Sequence, residues 1–245
     1  MSVFDGVAEL YDRVRPAYPP ALIDEVASLG PRILEIGPGT GQATRLLVER
    51  GAQVTAVELG SQLAQIAQRN VPAAHVVVAD VETWEPEHAG FDAVAAFTSF
   101  HWLAPATRYA TAARLLRPGG ALAVVAVDHV RVVGGDPIWE EVQADYDAVV
   151  PSPDNRPPPF IDEVGDLREE FRASALFRDV EVRRHPWDAL YTADEWIDVM
   201  RTYSPHIVRD PVVNEELYRR FRARIGARTV TKHYLATLTR GRRPS

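Results

Sequence analysis

The chain has 245 residues, of which 46% are hydrophobic and 25% charged, and this length and composition predict one α/β domain with a sizeable core. It contains no cysteine, which excludes disulfides, thiolate nucleophiles and thiolate metal ligands, and its formal net charge of -7 argues against nucleic acid as a partner. No run of about eighteen apolar residues is present and the N-terminus lacks the features of a signal peptide, so we expect a cytoplasmic protein without a membrane partner.

The first thirty residues, 1–30, predict a helical cap ahead of the first strand. Helical spacing relates Phe4, Ala8 and Tyr11. The proline-containing run 15–20 breaks this helix, and residues 21–28 resume one. Packing explains the aromatic residues of this cap, but Tyr11 or Tyr18 could instead close over a ligand.

A glycine-rich turn follows the first strand. The apolar run 33–36 ends at Gly37, Gly39 and Gly41, and an amphipathic segment, 43–50, begins directly after them. This pattern predicts a strand, a tight turn and a helix. Because glycines let the backbone approach a ligand closely and a helix N-terminus offers unpaired N–H groups, the turn predicts a nucleotide-like ligand.

The chain then alternates strand and helix up to residue 127. The strands are nearly continuous runs of Val, Ala and Ile, which is typical of a parallel sheet covered by helices on both faces. The predicted strands are 53–58, 75–79, 91–97 and 121–127, and the predicted helices are 61–69 and 105–116. Residues 31–127 are therefore expected to form the ligand-binding core of a single domain, 1–245.

Beyond this core the pattern is less regular. Residues 128–178 predict an inserted helical cap, and residues 179–245 predict the last strands with further cap helices. The predicted helices of the insertion are 138–149 and 161–174, and the predicted strands are 180–190 and 229–239. Thr192 and Glu195 match a capping box that opens one cap helix, and Asn214 is the expected N-cap of the next.

Three carboxylates stand at successive strand ends. Glu35 closes the first strand, Glu58 the second and Asp80 the third. Since the carboxyl ends of parallel strands share one edge of a sheet, we expect these acids beside the glycine turn. Glu35 could accept hydrogen bonds from an amine or from turn amides, Glu58 suits the hydroxyls of a ribose, and Asp80 suits an adenine amino group.

Two nucleotide cofactors compete for this arrangement. A dinucleotide fingerprint has its third glycine one position later than Gly41, where this chain has Gln42. Glu35 adds negative charge beside the turn, which disfavours a pyrophosphate and suits the ammonium group of S-adenosylmethionine. The residues therefore favour S-adenosylmethionine, and a nicotinamide-dependent oxidoreductase is the alternative.

Five motifs follow one another over residues 31–127. They are Glu35-x-Gly37-x-Gly39-x-Gly41, Glu58, Asp80, Phe91-Asp92-Ala93-Val94 and Leu116-Arg117-Pro118-Gly119-Gly120. In this order they resemble the motifs of class I S-adenosylmethionine-dependent methyltransferases. Arg15-Pro16-Ala17-Tyr18-Pro19 and Ser99-Phe100-His101-Trp102 add a narrower likeness. This second set resembles the small-molecule branch that includes trans-aconitate methyltransferases.

The resemblance implies a fold and a cofactor site. The fold is a Rossmann-like, doubly wound α/β sheet of seven mostly parallel strands with an antiparallel last strand. The methionine part of S-adenosyl-L-methionine lies on the turn, its ribose on Glu58, its adenine beside Asp80, and its sulfonium near Thr98. The implied cofactor-binding residues are Glu35, Gly37, Pro38, Gly39, Gly41, Glu58, Leu59, Asp80, Val81 and Thr98.

The acceptor site has weaker signals. His101 follows the fourth strand, where the methyl group should emerge, and it is the candidate catalytic base or acceptor clamp. A structural histidine that caps the helix starting at Pro105 is the alternative. Further candidate substrate-binding residues are Tyr11, Tyr18, Trp102, Tyr203 and His206. Asp128 and His129 are expected at the surface.

Missing motifs narrow the chemistry of the acceptor. No Asn-Pro-Pro-Tyr-like run follows the fourth strand, which disfavours planar amino groups, and no acidic cluster stands there to hold magnesium. We therefore expect metal-independent, in-line transfer to a small-molecule oxygen, a carboxylate or a hydroxyl. Nitrogen or sulfur acceptors and a non-catalytic binding module stay open. Arg131, Arg201 and Arg209 could clamp a carboxylate, although solvated surface positions are expected.

Overall fold

A seven-stranded sheet forms the centre of the computed structural model, which describes residues 4–87, 90–153 and 155–245. Strands β1 to β7 are Arg32–Ile36, Gln53–Glu58, His75–Val78, Phe91–Phe97, Leu116–Val130, Arg178–Tyr191 and Val230–Arg242. Their order is β3-β2-β1-β4-β5-β7-β6. β7 is antiparallel to both of its neighbours, β5 and β6, and the pairs among β1 to β5 are parallel. The predicted sheet, with its antiparallel last strand, is confirmed.

Helices cover both faces of the sheet and build the caps. Helices α1 to α11 are Ala8–Val14, Pro20–Ala27, Gln42–Glu49, Ser61–Asn70, Arg108–Leu115, Ile138–Glu141, Gln143–Val149, Arg168–Ser174, Ala193–Met200, Ser204–Val208 and Pro211–Ile225. α11 packs against α7 and α9, and α1 packs against α4 and α9. The N-terminal cap therefore meets the C-terminal cap helices. Within the described ranges, no helix is long and apolar enough to cross a membrane.

Apolar side chains fill both faces of the sheet. One face packs against α2 and α3, where Leu47 is fully buried. The other face packs against α5 and α8, where Phe171 is fully buried. A third cluster, which contains Trp196, joins the cap helices to the ends of β6 and β7. Because burial of apolar surface drives folding, the Val and Ala runs become central strands that are covered on both sides.

The strand order reverses between β1 and β4. The connection after β1 leads to β2 on one side, whereas the connection after β4 leads to β5 on the other. In open α/β sheets this divergence leaves a crevice outside the carboxyl ends of the strands, where ligands bind. β4 ends at Phe97, but β5 continues beside β7 as far as Val130 and walls one side of the crevice.

Most predicted elements are present, with ends shifted by a few residues. The helix expected at 138–149 is divided into α6 and α7, and within the range 161–174 only α8 is α-helical. The capping box is confirmed, because the Thr192 hydroxyl accepts a hydrogen bond from the Glu195 amide at 3.3 Å and Glu195 Oε2 accepts one from the Thr192 amide at 2.8 Å. Residues 1–3 of the expected N-terminal cap and Asp154 of the expected insertion lie outside the described residues.

The prediction for the start of α11 is wrong. Its N-cap is Asp210, whose side chain accepts a hydrogen bond from the Val212 amide at 2.7 Å. An acidic cap followed by Pro211 at the first helical position starts the helix earlier than expected. Asn214 lies inside α11, and its side-chain amide donates to the His206 carbonyl at 2.7 Å.

Candidate functional site

A cavity of about 980 Å³ lies at the carboxyl ends of the strands, near the upper end of the usual range for small-molecule sites, about 300 to 1,000 Å³. We call the part formed by the glycine turn and the ends of β2 to β4 the turn half. It is lined by Gly37, Gly39, Glu58, Leu59, Asp80, Val81 and Thr98. We call the part beneath the caps the cap half. It is lined by Tyr18, His129, Tyr146, Arg156, Tyr203, His206, Arg209 and Tyr234.

Glu58 closes β2 and joins the glycine turn to the following loop. Its Oε2 accepts a hydrogen bond from the Gly39 amide at 3.0 Å, and its Oε1 accepts one from the Gly60 amide at 2.8 Å. Burial raises the pKa of Glu58, and these amides act against that shift. Since a carboxylate oxygen has more than one acceptor position, ribose hydroxyls can bind beside the amides.

Glu35 lies behind the turn and does not line the cavity. It is 1% exposed, and its Oε2 accepts a hydrogen bond from the Thr44 hydroxyl at 2.6 Å. Burial raises the pKa of Glu35 to about 7, although the Thr44 hydroxyl lowers it. Glu35 was a candidate to accept hydrogen bonds from the amides of the turn, but the Gly39 amide donates to Glu58 instead.

The three glycines of the turn have positive φ angles of 63°, 59° and 88° at Gly37, Gly39 and Gly41. A Cβ on Gly37 would lie 2.8 Å from Ser99 Cβ, and a Cβ on Gly41 would lie 3.3 Å from Ala67 Cα. The first and third glycines are therefore required by packing as well as by the backbone angle. Gly41 and Pro38 do not line the cavity, whereas Gly37 and Gly39 do.

Thr98 stands at the end of β4 with a φ of 55°, an uncommon angle for a β-branched residue. Its amide donates to the Val125 carbonyl at 2.8 Å, and the next side chain, the Ser99 hydroxyl, donates to the Ile36 carbonyl. The Tyr18 hydroxyl interacts with the Thr98 side chain. These contacts hold a strained residue at the cavity wall, which is typical of a functional site.

His101 and Trp102 lie at the mouth of the cavity on a short 3₁₀ turn. Trp102 is 57% exposed, and its ring centre is 5.9 Å from that of Phe4. Partial burial and the Arg108 charge lower the pKa of His101. The N-cap of α5 is Thr107, so the alternative in which His101 caps this helix is wrong. The catalytic role of His101 stays a prediction.

Asp128 and His129 both line the cavity, so their expected surface position is wrong. The reason is that β5 continues past β4 and lies beneath the C-terminal cap helices. His129 Nε2 is 2.8 Å from the Tyr203 hydroxyl, and its ring centre is 5.1 Å from that of Tyr234. Burial, with a smaller effect from the Lys232 charge, lowers the pKa of His129 well below its usual value.

Arg15 joins the two caps across the cavity. Its Nε donates to the Thr202 hydroxyl and its Nη2 to the Thr202 carbonyl, both at 2.8 Å. The guanidinium carbon is 4.5 Å from the ring centre of Tyr11 and 4.4 Å from that of Tyr203. Cation–π contacts at these distances are stabilising, so Arg15 brings together two tyrosines that the sequence predicted separately.

His206 forms the far wall of the cap half, and it is 7% exposed. Its Nδ1 is 3.1 Å from the Tyr218 hydroxyl, and its Nε2 is 3.4 Å from the Tyr146 hydroxyl. Burial lowers the pKa of His206 to about 4, so the His206 ring is uncharged at neutral pH. Arg209 lies beside it, where Nη1 donates to Asn214 Oδ1 at 3.1 Å.

The arginines of the cavity are Arg15, Arg156 and Arg209. Within the described part of the chain, none of the three forms an ion pair with a carboxylate. Arg131 and Arg201 lie outside the cavity and are paired instead. Their partners are Glu140 for Arg131 and both Asp198 and Glu215 for Arg201. Of the three arginines that the sequence offered as carboxylate clamps, only Arg209 is placed to meet a ligand.

Several cavity residues have no sequence signal of function. They are Gln42, Tyr146, Arg156, Trp187 and Tyr234. Gln42 lies next to a motif, because it directly follows the glycine turn. Arg15 was also not predicted as a site residue, although it begins the Arg15 to Pro19 motif. The others lie in the caps and in β6 and β7. In these segments a side chain that packs in the core and one that lines a cavity give the same sequence pattern.

One stretch of the chain, from β1 into β5, matches a known protein family. Residues 34–124 match the model of a family described as a methyltransferase domain. The chain carries a methyltransferase domain. The matched range runs from β1 into β5 and includes the glycine turn, Glu58 and Asp80. The resemblance to class I methyltransferases is confirmed.

Relatives of the methyltransferase domain include enzymes with and without a defined activity. An uncharacterized methyltransferase of Mycobacterium tuberculosis is 33% identical over 152 residues, which cover 57% of this chain and 63% of the relative. A trans-aconitate 2-methyltransferase of Acidovorax ebreus is 36% identical over 123 residues, which cover 49% of this chain and 46% of that enzyme. The chain thus spans less than two thirds of the length of either relative.

The fold of the methyltransferase domain also matches solved structures. A protein from Anaeromyxobacter dehalogenans, assigned as a type II methyltransferase, superposes with a TM-score of 0.68 and is 23% identical. The superposition covers 94% of this chain and 99% of the other. The shared fold therefore extends well beyond the residues of the family match.

The buried carboxyl of Glu35 predicts a pH-dependent stability. Its pKa in the folded protein is about 7, above its ordinary value of 4.5, so its contribution to stability is fully present below about pH 4.5 and is lost as the pH rises through 7. Relative to Glu35→Gln, the wild-type free energy of unfolding should fall by on the order of 1–3 kcal/mol between pH 5 and pH 8. Urea denaturation of both proteins at several pH values measures this difference.

Thr44→Val supplies the matched variant for this measurement. It keeps the Glu35 carboxyl but removes the hydroxyl that stabilises the ionised form. The loss of stability with rising pH should therefore be larger in Thr44→Val than in the wild type. A constant difference between the wild type and Glu35→Gln across this pH range would contradict the assignment of Glu35 as a buried carboxyl with a raised pKa.

Proposed function

We propose that the protein transfers a methyl group from S-adenosyl-L-methionine to an oxygen of a small-molecule carboxylic acid. The observation that carries the proposal is the composition of one cavity. Its turn half has the glycine turn and the strand-end acids of a nucleoside site. Its cap half has Arg156 and Arg209, with Arg15 between the caps, and none of them has a carboxylate partner within the described residues. A nucleoside donor and an anionic acceptor can therefore bind side by side.

The residues of the turn half fit the donor. Glu58 retains acceptor capacity for ribose hydroxyls beside the amides of Gly39 and Gly60. Asp80 is exposed to the cavity, and Val81 is 7% exposed and offers an apolar surface to an adenine ring. When bound, S-adenosylmethionine supplies an electrophilic methyl group on a sulfonium. Glu35, from behind the turn, adds negative charge when ionised, which favours a cationic ligand.

The sheet argues against the nicotinamide alternative. The dinucleotide-binding fold has the strand order 3-2-1-4-5-6, whereas here β7 enters between β5 and β6 and runs antiparallel to both. The glycine turn also departs from the dinucleotide pattern, because its third glycine, Gly41, comes one residue early and Gln42 stands in the expected position. A trans-aconitate 2-methyltransferase among the relatives supports a carboxylic acid as the acceptor.

The uncharged groups of the cap half also suit an anionic acceptor. Burial raises the pKa of the Tyr18 hydroxyl, so it keeps its proton and can donate a hydrogen bond. Burial also raises the pKa of Asp128, because the ionised carboxylate is less well solvated there. Arginine recognises a carboxylate through paired N–H donors. An acid held here meets donors and cations together.

Methyl transfer to a carboxylate requires little covalent help from the protein. The acceptor oxygen is already ionised at neutral pH, so its attack on the methyl carbon needs no base. The chain has to hold the acid in line, and positioning of two reactants can contribute about 7 to 11 kcal/mol. We assign the grip on the acid to the arginines of the cavity. We assign the exclusion of water to Tyr11, Tyr18 and Trp102, which surround the cavity from the N-terminal side and the mouth.

We propose further that the partners of the protein are small molecules only, without nucleic acid or membrane, and that transfer proceeds without a metal in the cytoplasm. These proposals rest on the acidic net charge of -7 and on the residue types at the strand ends. A panel of small carboxylic acids identifies which acid is the acceptor.

Glu58→Gln should weaken binding of the donor. A hydrogen bond to a charged group contributes about 1.5–3 kcal/mol, so the Kd for S-adenosylhomocysteine should rise by about tenfold to a hundredfold. Isothermal titration calorimetry of the wild type and the variant measures this, with thermal melting as a check of folding. Glu49→Gln, at the exposed end of α3 and outside the cavity, is the matched control and should bind like the wild type. Equal affinity of Glu58→Gln and wild type would contradict the assignment of the ribose site.

Arg209→Met and Arg156→Met should weaken binding of the acceptor. Transfer of labelled methyl from S-adenosylmethionine is measured with a panel of small carboxylic acids that includes trans-aconitate, and with alcohols and amines of similar size. With the most active acid, each variant should raise KM by about tenfold and leave the Kd for S-adenosylhomocysteine unchanged. Arg219→Met, whose side chain pairs with Glu216 outside the cavity, is the control. Transfer to alcohols or amines but to no acid would overturn the proposed acceptor class.

A further inference from the structure

Three tyrosine hydroxyls form a chain that ends on His129. The Tyr191 and Tyr234 hydroxyls are 3.0 Å apart, the Tyr234 and Tyr203 hydroxyls interact, and the Tyr203 hydroxyl is 2.8 Å from His129 Nε2. β6 supplies Tyr191, β7 supplies Tyr234, and Tyr203 precedes α10. The chain therefore crosses from the edge of the sheet to the wall of the cavity.

The direction of the hydrogen bonds follows from counting protons. Burial raises the pKa of all three tyrosines, so each hydroxyl carries one hydrogen. If every hydroxyl donates towards His129, the Tyr191 hydrogen lies on the contact to Tyr234, the Tyr203 hydrogen lies on the contact to His129, and Nε2 is the final acceptor. In the opposite direction the Tyr191 hydrogen has no acceptor within the described residues, and Tyr191 is 8% exposed. Since a buried donor without a partner is costly, the first direction is favoured.

This direction fixes the tautomer of His129. Its ring is neutral at physiological pH, because burial and the cations Lys232 and Arg15 disfavour a second proton. A neutral imidazole with an accepting Nε2 carries its hydrogen on Nδ1. Nδ1 makes no hydrogen bond within the described part of the chain, and the ring lines the cavity. Aromatic contacts to Trp196 at 5.6 Å and to Tyr203 at 5.3 Å hold the ring in place.

We propose that His129 binds the acceptor, with its Nδ1–H group donating a hydrogen bond to an oxygen of the acceptor carboxylate and with the tyrosine chain imposing the tautomer. This inference rests on the proposed function and adds a residue to it. A neutral donor orients the carboxylate without placing a full positive charge on the oxygen that has to attack. It also selects oxygen over an ammonium group, which offers a hydrogen rather than a lone pair.

His101, the sequence-based candidate, lacks this support. It is exposed, and the aromatic contact that the structure gives it is to the adjacent Trp102, whose ring centre is 5.0 Å away. No hydrogen bond to its ring occurs within the described residues, so nothing selects one tautomer. His129 is therefore the better positioned histidine of the cavity.

The tautomer is tested by NMR of uniformly ¹⁵N-labelled protein. Two-bond ¹H–¹⁵N correlation spectra of the imidazole rings distinguish the Nδ1–H, Nε2–H and protonated forms, and His129→Gln identifies the signals of His129 among seven histidines. We expect the Nδ1–H form in the wild type between pH 6 and pH 8. Tyr203→Phe keeps the packed ring but removes the hydroxyl, and it should give a mixture of tautomers. An Nε2–H or protonated His129 in the wild type overturns the proposal.

The role in binding is tested with two variants of His129. The amide nitrogen of Asn reaches the position of Nδ1, whereas that of Gln reaches the position of Nε2. With the most active acid of the panel described above, His129→Gln should raise KM at least tenfold, and His129→Asn should raise it by a smaller factor. The Kd for S-adenosylhomocysteine should be unchanged in both variants, which also shows that they are folded.

The outcomes separate this inference from the proposed function. If the wild type methylates an acid and His129→Gln has the wild-type KM, the role of His129 is wrong and the proposed function stands. If the wild type methylates no acid of the panel, the proposed function is wrong, and the inferred role of His129 falls with it. A larger effect in His129→Asn than in His129→Gln would assign the ligand contact to Nε2 and overturn the proposal.

Discussion

The divergence of the chain at the carboxyl ends of β1 and β4 is the constraint on which the site depends. Because these neighbouring strands connect to opposite sides of the sheet, no crossover covers the edge between them. The turn after β1 is then held open by short contacts. Glu58 accepts hydrogen bonds from the amides of Gly39, after β1, and Gly60, after β2, and the Ser99 hydroxyl, after β4, donates to the Ile36 carbonyl of β1. A nucleoside site is the consequence of this geometry.

The second half of the site depends on contacts between distant parts of the chain. Arg15 binds Thr202 across 187 residues of sequence and packs between Tyr11 and Tyr203. The extension of β5 beside β7 then places His129 beneath the cap helices. The turn half is thus built from adjacent strand ends of the core, whereas the cap half is formed only when the caps have docked. Under the proposed function, the caps therefore determine which acceptor binds.

The sequence predicted those elements whose structure depends on neighbouring residues of the chain. The strands, the glycine turn and the Thr192 capping box follow from hydrophobic period, backbone freedom and side-chain capping, and each is present. Glu58 could be placed at the turn because parallel strand ends share an edge. The prediction that His129 lies at the surface was wrong, because nothing in the sequence shows that β5 extends beyond the end of β4. Tyr146 and Tyr234 could not be chosen because aromatic residues in caps and strands usually pack in a core, and only the tertiary fold separates the two cases.

A crystal structure of the protein with S-adenosylhomocysteine would show directly where the donor binds in the cavity. We expect the ribose hydroxyls on Glu58, the adenine beside Asp80 and Val81, and the sulfur near Thr98, with space towards His129 and the arginines for the acceptor. Failure of the ligand to bind, or an orientation that places the adenine in the cap half, would contradict the assignment of the donor and acceptor halves.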